Sequence, residues 1–222
     1  APISSLFEPD DDRGRIQSRH IHLIWALERL GWDPAHLCEV ADILAGLIRF
    51  DPGGRNITRP LAQLGRIFLA WSPQTNAGPQ ARRAVLDDLR ARHPDVAWQV
   101  MLHSVPVPGG IVFSGNRAQW REEGADRRED LTDEALTDDL EALGERLAAD
   151  VGEDVERWTS LLEIMERLTP AARARIGEVL DEIEPRIADP AERDRLRTAL
   201  RKCFDRHMDH QGAWWAIPSE EL

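Results

Sequence analysis

Apolar residues recur in this chain once per helical turn, and that spacing limits what it can fold into more than any other feature. Leu37, Val40, Ala41, Leu44, Leu47 and Ile48 stand at intervals of three and four, which lines them up as one stripe on an α-helix. Leu136, Leu140, Leu143, Leu147 and Val151 step by four, three, four and four, so they too share a face. Val155, Trp158, Leu162, Met165 and Leu168 predict the next helix, Ile176, Val179, Leu180, Ile183 and Ile187 another, and Leu196, Leu200, Cys203 and Phe204 the last. Only Ile111-Val112-Phe113 has the composition of a strand.

The helix starts reuse one device. Asp33-Pro34-Ala35, Thr169-Pro170-Ala171 and Asp189-Pro190-Ala191 each put a capping side chain before a proline at N1, where the missing N–H costs nothing. Glu192 at N3 predicts a capping box with Asp189. Ahead of Asp33, residues Ile21, Leu23, Ile24, Trp25, Leu27 and Leu30 form a shorter helix that is apolar over most of its circumference, which predicts a sandwiched position. Asp51-Pro52-Gly53-Gly54 ends the second helix. Thr58 and Pro60 begin a third, with Leu61, Leu64, Ile67, Phe68 and Trp71 inward and Ser72-Pro73 as its stop. A fourth, from about Pro79 to Arg92, carries Val85, Leu86 and Leu89, and His93-Pro94 separates it from a fifth with Val96, Trp98, Met101, Leu102 and Val105. Short links predict antiparallel neighbours. The expectation is an all-α chain, an irregular HEAT-like array of helical hairpins (an α-solenoid) without a regular repeat.

Pro106, Pro108, Gly109, Gly110, Gly115 and Gly124 exclude a continuous helix over 104–130, a gap long enough to suggest a functional or disordered loop. The organisation read from this is a flexible N-terminal segment or cloning scar at 1–16, a first helical subdomain at 17–105, a long loop at 106–130, and a second helical subdomain at 131–222. The second is acidic. Residues 1–110 hold 12 acidic and 12 basic side chains, residues 111–222 hold 28 and 16, so the second half carries the whole net charge of −12. That field repels phosphate backbones and makes nucleic acid an unfavoured partner; it reads either as solvated helix faces or as an acidic docking surface. No apolar run is long enough to span a bilayer, so no membrane is expected. Cys38 and Cys203 lie far apart, which argues against a disulfide framework and for a reducing, cytoplasmic setting. The chain opens Ala1-Pro2-Ile3, without an initiator methionine or a secretory leader, which predicts a piece of a longer protein.

Trp32-Asp33-Pro34, Asp51-Pro52-Gly53-Gly54, Asn56, Arg59-Pro60-Leu61, Ile67-Phe68-Leu69, Trp71 and Pro73-Gln74-Thr75-Asn76, with Ser114, Arg117, Trp120 and Arg121 further on, make residues 20–121 resemble a stretch of very long bacterial multidomain proteins. Those proteins look like signal-transduction ATPases of the STAND type, some of them phage-defence systems. The resemblance implies a helical sensor or scaffold portion. It does not imply ATPase activity here, because the chain has no G-x-x-x-x-G-K-[ST] loop and its single lysine, Lys202, lacks the preceding glycines.

No cofactor is expected, and the chemical candidates are thin. His207-x-x-His210 puts two imidazoles on one helix face, with Asp209 or Asp205 as a carboxylate donor, which suggests a small metal-dependent hydrolase as an alternative reading. His20 and His22, two apart, point different ways on a helix. Glu163 with Glu166, and Glu178 with Asp181 or Glu182, are one turn apart, a spacing that acidic amphipathic helices produce without catalysis. Ser114-Gly115 lacks the elbow of a nucleophilic serine, and Cys38 falls at the edge of an apolar stripe. A third reading is nucleic-acid binding through Arg55, Arg59, Arg82 and Arg83. Trp25, Trp71, Trp98 and Trp158 occupy apolar helix positions and are expected in the core. Trp120, in the loop beside Arg117 and Arg121, and the pair Trp214-Trp215 do not; they either clamp loops onto the body or anchor an interface. The leading expectation is a non-enzymatic scaffold or sensor, of undefined oligomeric state, that contacts a protein partner or neighbouring domains.

Overall fold

A computed structural model describes residues 20–51, 59–107 and 132–219; these are all-α, with no strand among them. They form two compact units, one built from residues up to Ser104, the other from Thr132 onward with Val105–Val107. The predicted loop residues from 108 on lie outside the described residues, as do 1–19.

The first unit holds α1 (His20–Gly31), α2 (Leu37–Ile48), α3 (Pro60–Ile67), α4 (Pro79–Arg92) and α5 (Pro94–Ser104). α2 packs against α1, α3 and α4, and α5 against α3 and α4. Ile24, Leu37, Ala41, Leu44, Leu64, Leu89, Val100 and Met101 make the core, each at most 1% exposed. Burying one such large side chain stabilises by about 1.5–3 kcal/mol. The Asp33 carboxylate accepts from the Ala35 N–H at 2.9 Å as expected, yet the turn it caps is a 3₁₀ turn, Pro34–His36, and α2 proper starts at Leu37. α1 differs more from the sequence reading. Only Ile24, Leu27 and the ends of the helix are buried, while Trp25 and Leu30 are 41% and 44% exposed. The helix is therefore not sandwiched: neighbours cover a single face, and apolar residues on the other meet solvent.

Residues 74–76 reach the C-terminal ends of both α1 and α3. Thr75 Oγ1 donates to the Gly31 carbonyl at 2.8 Å, Asn76 N–H donates to the Trp32 carbonyl at 2.9 Å, and Gln74 N–H donates to the Arg66 carbonyl at 3.0 Å. Residues 74–76 thereby satisfy carbonyls left open at the C-terminal ends of α1 and α3. Arg59 Nε donates to the nearly buried Asp51 carboxylate at 2.8 Å, tying together the two residues that flank 52–58.

The second unit holds α6 (Asp133–Asp150), α7 (Val155–Leu162), α8 (Pro170–Ile183) and α9 (Pro190–Met208). α6 packs on α8 and α7 on α9, around Leu147, Trp158, Leu161, Ile176 and Leu196. The single helix expected from Val155 to Leu168 stops at Leu162, and Met165–Arg167 forms a separate 3₁₀ turn. The helical path breaks at Ile164, φ −113° and ψ 2°, and Leu168 and Thr169 are extended, the latter as the residue before Pro170 must be, so the spacing of Met165 and Leu168 does not continue α7. Gly152, at φ 57°, ends α6 in the left-handed region, and its carbonyl accepts from the fully buried Trp158 indole at 2.9 Å.

A second device accompanies the caps. Three residues after the N1 prolines Pro79, Pro170 and Pro190 comes an arginine that reaches back to a carbonyl ahead of its own helix. Arg82 donates to Ala77 at 3.0 Å, Arg173 to Leu168 at 2.6 Å and Arg193 to Ile187 at 2.6 Å. Asp189 caps α9 without the predicted capping box: it accepts from Ala191 N–H at N2, 3.0 Å away, while Glu192 pairs with Arg195.

α6 and α8 cross where Gly144 faces Ala172. A Cβ on Gly144 would stand 2.3 Å from the Ala172 Cβ. Gly144→Ala is therefore expected to destabilise the chain by about 1–3 kcal/mol through overpacking, although alanine is the better helix former. Urea unfolding with unchanged m-value and a lower midpoint is the expected result; an equal or higher midpoint would refute the close crossing.

Candidate protein-docking site

Just beyond α9 stand Trp214 and Trp215, two of the tryptophans outside any helical stripe, and the structure separates their roles. Beyond Met208 the chain turns back through Ala213 N–H to the His210 carbonyl at 2.7 Å and Ala216 N–H to the Ala213 carbonyl at 3.0 Å. Ile217, 3% exposed, then donates its N–H to Nδ1 of the fully buried His207 at 3.2 Å. The Gln211 amide donates to the carbonyls of His207 and Ile217 at 2.8 and 2.9 Å, and its oxygen accepts from Ser219 N–H at 3.0 Å. The Trp215 ring lies against His207 and His210, with centroids 5.6 and 5.4 Å away. Trp215 is thus a clamp. Trp214, its neighbour, is 80% exposed.

The same geometry surrounds His207 with donors: Nδ1 accepts the Ile217 N–H, and Arg206 Nη2 stands 3.3 Å from Nε2. Nε2 stands 3.9 Å from the Glu166 carboxylate, which accepts from Arg206 at 2.9 Å. His210 Nδ1 bonds the Arg206 carbonyl at 2.9 Å. His207 and His210, one turn apart as their spacing requires, both take part in the tail lock; among the described residues no three His, Cys, Asp or Glu side chains are grouped to hold a metal.

Two grooves flank α9. One, about 630 Å³, runs between α8 and α9 and is lined by Met165, Ala174, Gly177, Leu180, Leu200 and Phe204, with Ile217 of the returning tail also in its wall. The other, about 740 Å³, lies between α7 and α9 and is rimmed by Glu163, Asp194, Arg195, Lys202 and Arg206. Cys203 lines both, and burial pushes its thiol up, away from thiolate chemistry. Phe204 and Met208, one turn apart on α9, are 46% and 41% exposed.

Elsewhere the candidate residues serve the fold. Arg82 is buried on the Ala77 carbonyl and Arg59 is engaged by Asp51, so two of the four arginines proposed for nucleic acid are committed; Arg55 lies outside the described residues, with Arg117, Trp120 and Arg121. Glu166 is paired with Arg206, and Glu178 with Arg175 at 2.8 Å. Trp98 and Trp158 are in the core, while Trp71 is half-buried with its indole N–H unpartnered. His20 is buried, and His22 meets Trp25 edge-on at 5.4 Å.

A polar cluster that the apolar pattern could not reveal joins α2 to the end of α4. The Cys38 thiol donates to Asp88 at 3.4 Å, and Asp42 takes both Arg92 and His93, at 2.7 and 2.8 Å. Partial burial and the Asp88 hydrogen bond push the Cys38 thiol up, while the His93 hydrogen bond holds Asp42 below the usual carboxylate range. A nucleophilic cysteine needs the opposite shift. The i, i+4 pairs Cys38–Asp42 and Asp88–Arg92 were the available sequence signal.

Burial, with the Arg206 cation adding to it, holds His207 below the ordinary imidazole range. The unfolded chain therefore takes up this proton first, so the contribution is complete above about pH 6.5 and is lost as pH falls from there toward the lower native value. Melts between about pH 7.5 and 5 are expected to show wild type losing more stability than His207→Gln, with the gap between them narrowing as pH falls. A pH-independent gap would refute a neutral His207 lock. No family model, curated protein or solved structure matches the chain.

Proposed function

We propose that the chain is a non-enzymatic helical scaffold or sensor module that contacts a protein partner, or a neighbouring domain of a longer bacterial protein, through the α9 face of its second unit. One observation carries this reading: Trp214 is 80% exposed while the adjacent Trp215 is locked down, so the tail lock holds a large aromatic out in solvent. Ordering an exposed tryptophan this way stabilises nothing within the unit, and aromatic and methionine side chains are the residues that anchor interfaces. Phe204 and Met208 extend the apolar character along α9. The likeness of residues 20–121 to helical portions of STAND-type signalling and phage-defence proteins supports a sensor role in the cytoplasm, with any nucleotide chemistry in other domains. A HEAT-like stacking of the hairpins belongs to the same reading.

The test replaces the exposed anchors. Trp214→Ser and Phe204→Ser, alone and together, are expected to leave unfolding free energy within about 0.5 kcal/mol of wild type, since exposed positions contribute little. The partner is captured with wild-type chain by cross-linking, then purified and titrated. The double variant is expected to bind it at least about tenfold more weakly, roughly 1.4 kcal/mol. Unchanged affinity in the double variant, or turnover of a substrate by the chain itself, would overturn the proposal.

A further inference from the structure

We infer that the α8–α9 groove receives one amphipathic helix, apolar on the inward stripe and basic on its flanks, from the partner; this rests on the protein-contact reading above and names the element that docks. The groove is open, and its walls are the apolar side chains Met165, Leu180, Leu200, Phe204 and Ile217. A small-molecule site of this volume needs a few convergent polar groups to orient its ligand. Here the charged lining residue is Arg173, whose guanidinium is already turned to the Leu168 carbonyl. A groove with apolar walls and no orienting polar groups suits the stripe of a helix, which brings its own backbone hydrogen bonds satisfied.

Gly177 points the same way. It sits inside α8, where glycine is the poorest choice short of proline. Nothing within 4 Å would meet a Cβ there, so the unit's own packing does not demand it, in contrast to Gly144 at the α6–α8 crossing. With Ala174 beside it, Gly177 leaves one bank of the groove low, which lets another backbone come close. α8 is about 21 Å long, enough for a partner helix of three to four turns.

Charge selects the partner's sign. Residues 132–219 hold 21 acidic and 12 basic side chains. Asp181 and Glu182 stand exposed on α8, with Asp181 one turn beyond Gly177 on the same face, while Glu178 is paired with Arg175. On α9, one turn before Leu200, Arg197 is neutralised by Glu184 at 2.7 Å. A second copy of this chain would bring two acidic units together, and an anionic lipid surface would be repelled, so a basic peptide helix is the occupant that the field favours.

The test uses the 222-residue chain and three probes: an 18-residue Leu/Lys amphipathic peptide, a Leu/Glu peptide of the same pattern, and phosphatidylglycerol vesicles. The basic peptide is expected to bind, with affinity falling as salt rises, and the other two are not. Gly177→Trp fills the groove without changing charge and is expected to keep or raise the melting temperature while weakening the basic peptide at least tenfold. Asp181→Lys is expected to weaken it severalfold and flatten the salt dependence. Equal binding of both peptides, vesicle binding, or full affinity in Gly177→Trp would overturn the inference. Loss of partner binding in the Trp214/Phe204 double variant, with Gly177→Trp binding like wild type, would remove the groove helix and leave the scaffold reading standing.

Discussion

A buried backbone carbonyl at a tight helix-to-helix turn has to find a donor, and the rest of this structure depends on how the chain supplies one. Proline at N1 fixes its own φ and forces the preceding residue to be extended, so the chain turns sharply and the carbonyls just ahead of the helix point into protein. Left unmade, such a bond costs about 1–3 kcal/mol. Arg82, Arg173 and Arg193 meet those carbonyls from one turn further on, and Arg157 does the same at α7 by reaching the Asp150 carbonyl at 2.7 Å. Their long stems also cover apolar surface beside the turn. Once the turn is fixed, the rotational phase of the helix is fixed with it, and that decides that Leu196 faces the core while Phe204 faces out.

Helix existence was legible in the sequence because it follows from periodicity, which burial enforces. α4, α5 and α6 lie where the apolar spacing puts them, whereas α8 ends at Ile183, short of the stripe residue Ile187, and Glu184–Arg186 forms a 3₁₀ turn. Boundaries were less legible, since they depend on φ and ψ at single residues such as Ile164 and Leu168, where the apolar spacing continues although the helix does not. The solvent side of α1 was illegible for another reason: periodicity reports which residues are apolar, not whether a neighbouring helix exists to cover them, and Trp25 and Leu30 have none over much of their surface. The arginine device was present as Pro-x-x-Arg at Pro79, Pro170 and Pro190, but an arginine on an amphipathic helix reads as solvated unless the preceding turn is known.

The tail lock shows what spacing alone leaves open about chemistry. His207 and His210 do share a face, as their interval requires, and both touch Trp215. What their interval cannot say is where each lone pair goes. At His207 the Nδ1 lone pair is taken by Ile217, ten residues on, a contact that depends on the reversal at 209–216. The buried imidazole is the acceptor that closes a loop, and its depressed proton affinity follows from that burial beside Arg206.

The pairing of helices in the second unit explains why an apolar seam remains on its surface. α6 covers α8 and α7 covers α9, so each helix spends its strongest apolar stripe on one mate. α8 and α9 are then left with the margins of their stripes, Leu180 on one and Leu200 and Phe204 on the other, facing a gap that neither mate fills. Closing it from within would take one larger side chain at Gly177, a change that helix propensity would favour by up to about 1 kcal/mol. The chain instead keeps the gap open and holds Ile217 at its end through His207. Gly177 and the locked Ile217 thus both line a gap that the unit's own helices leave open.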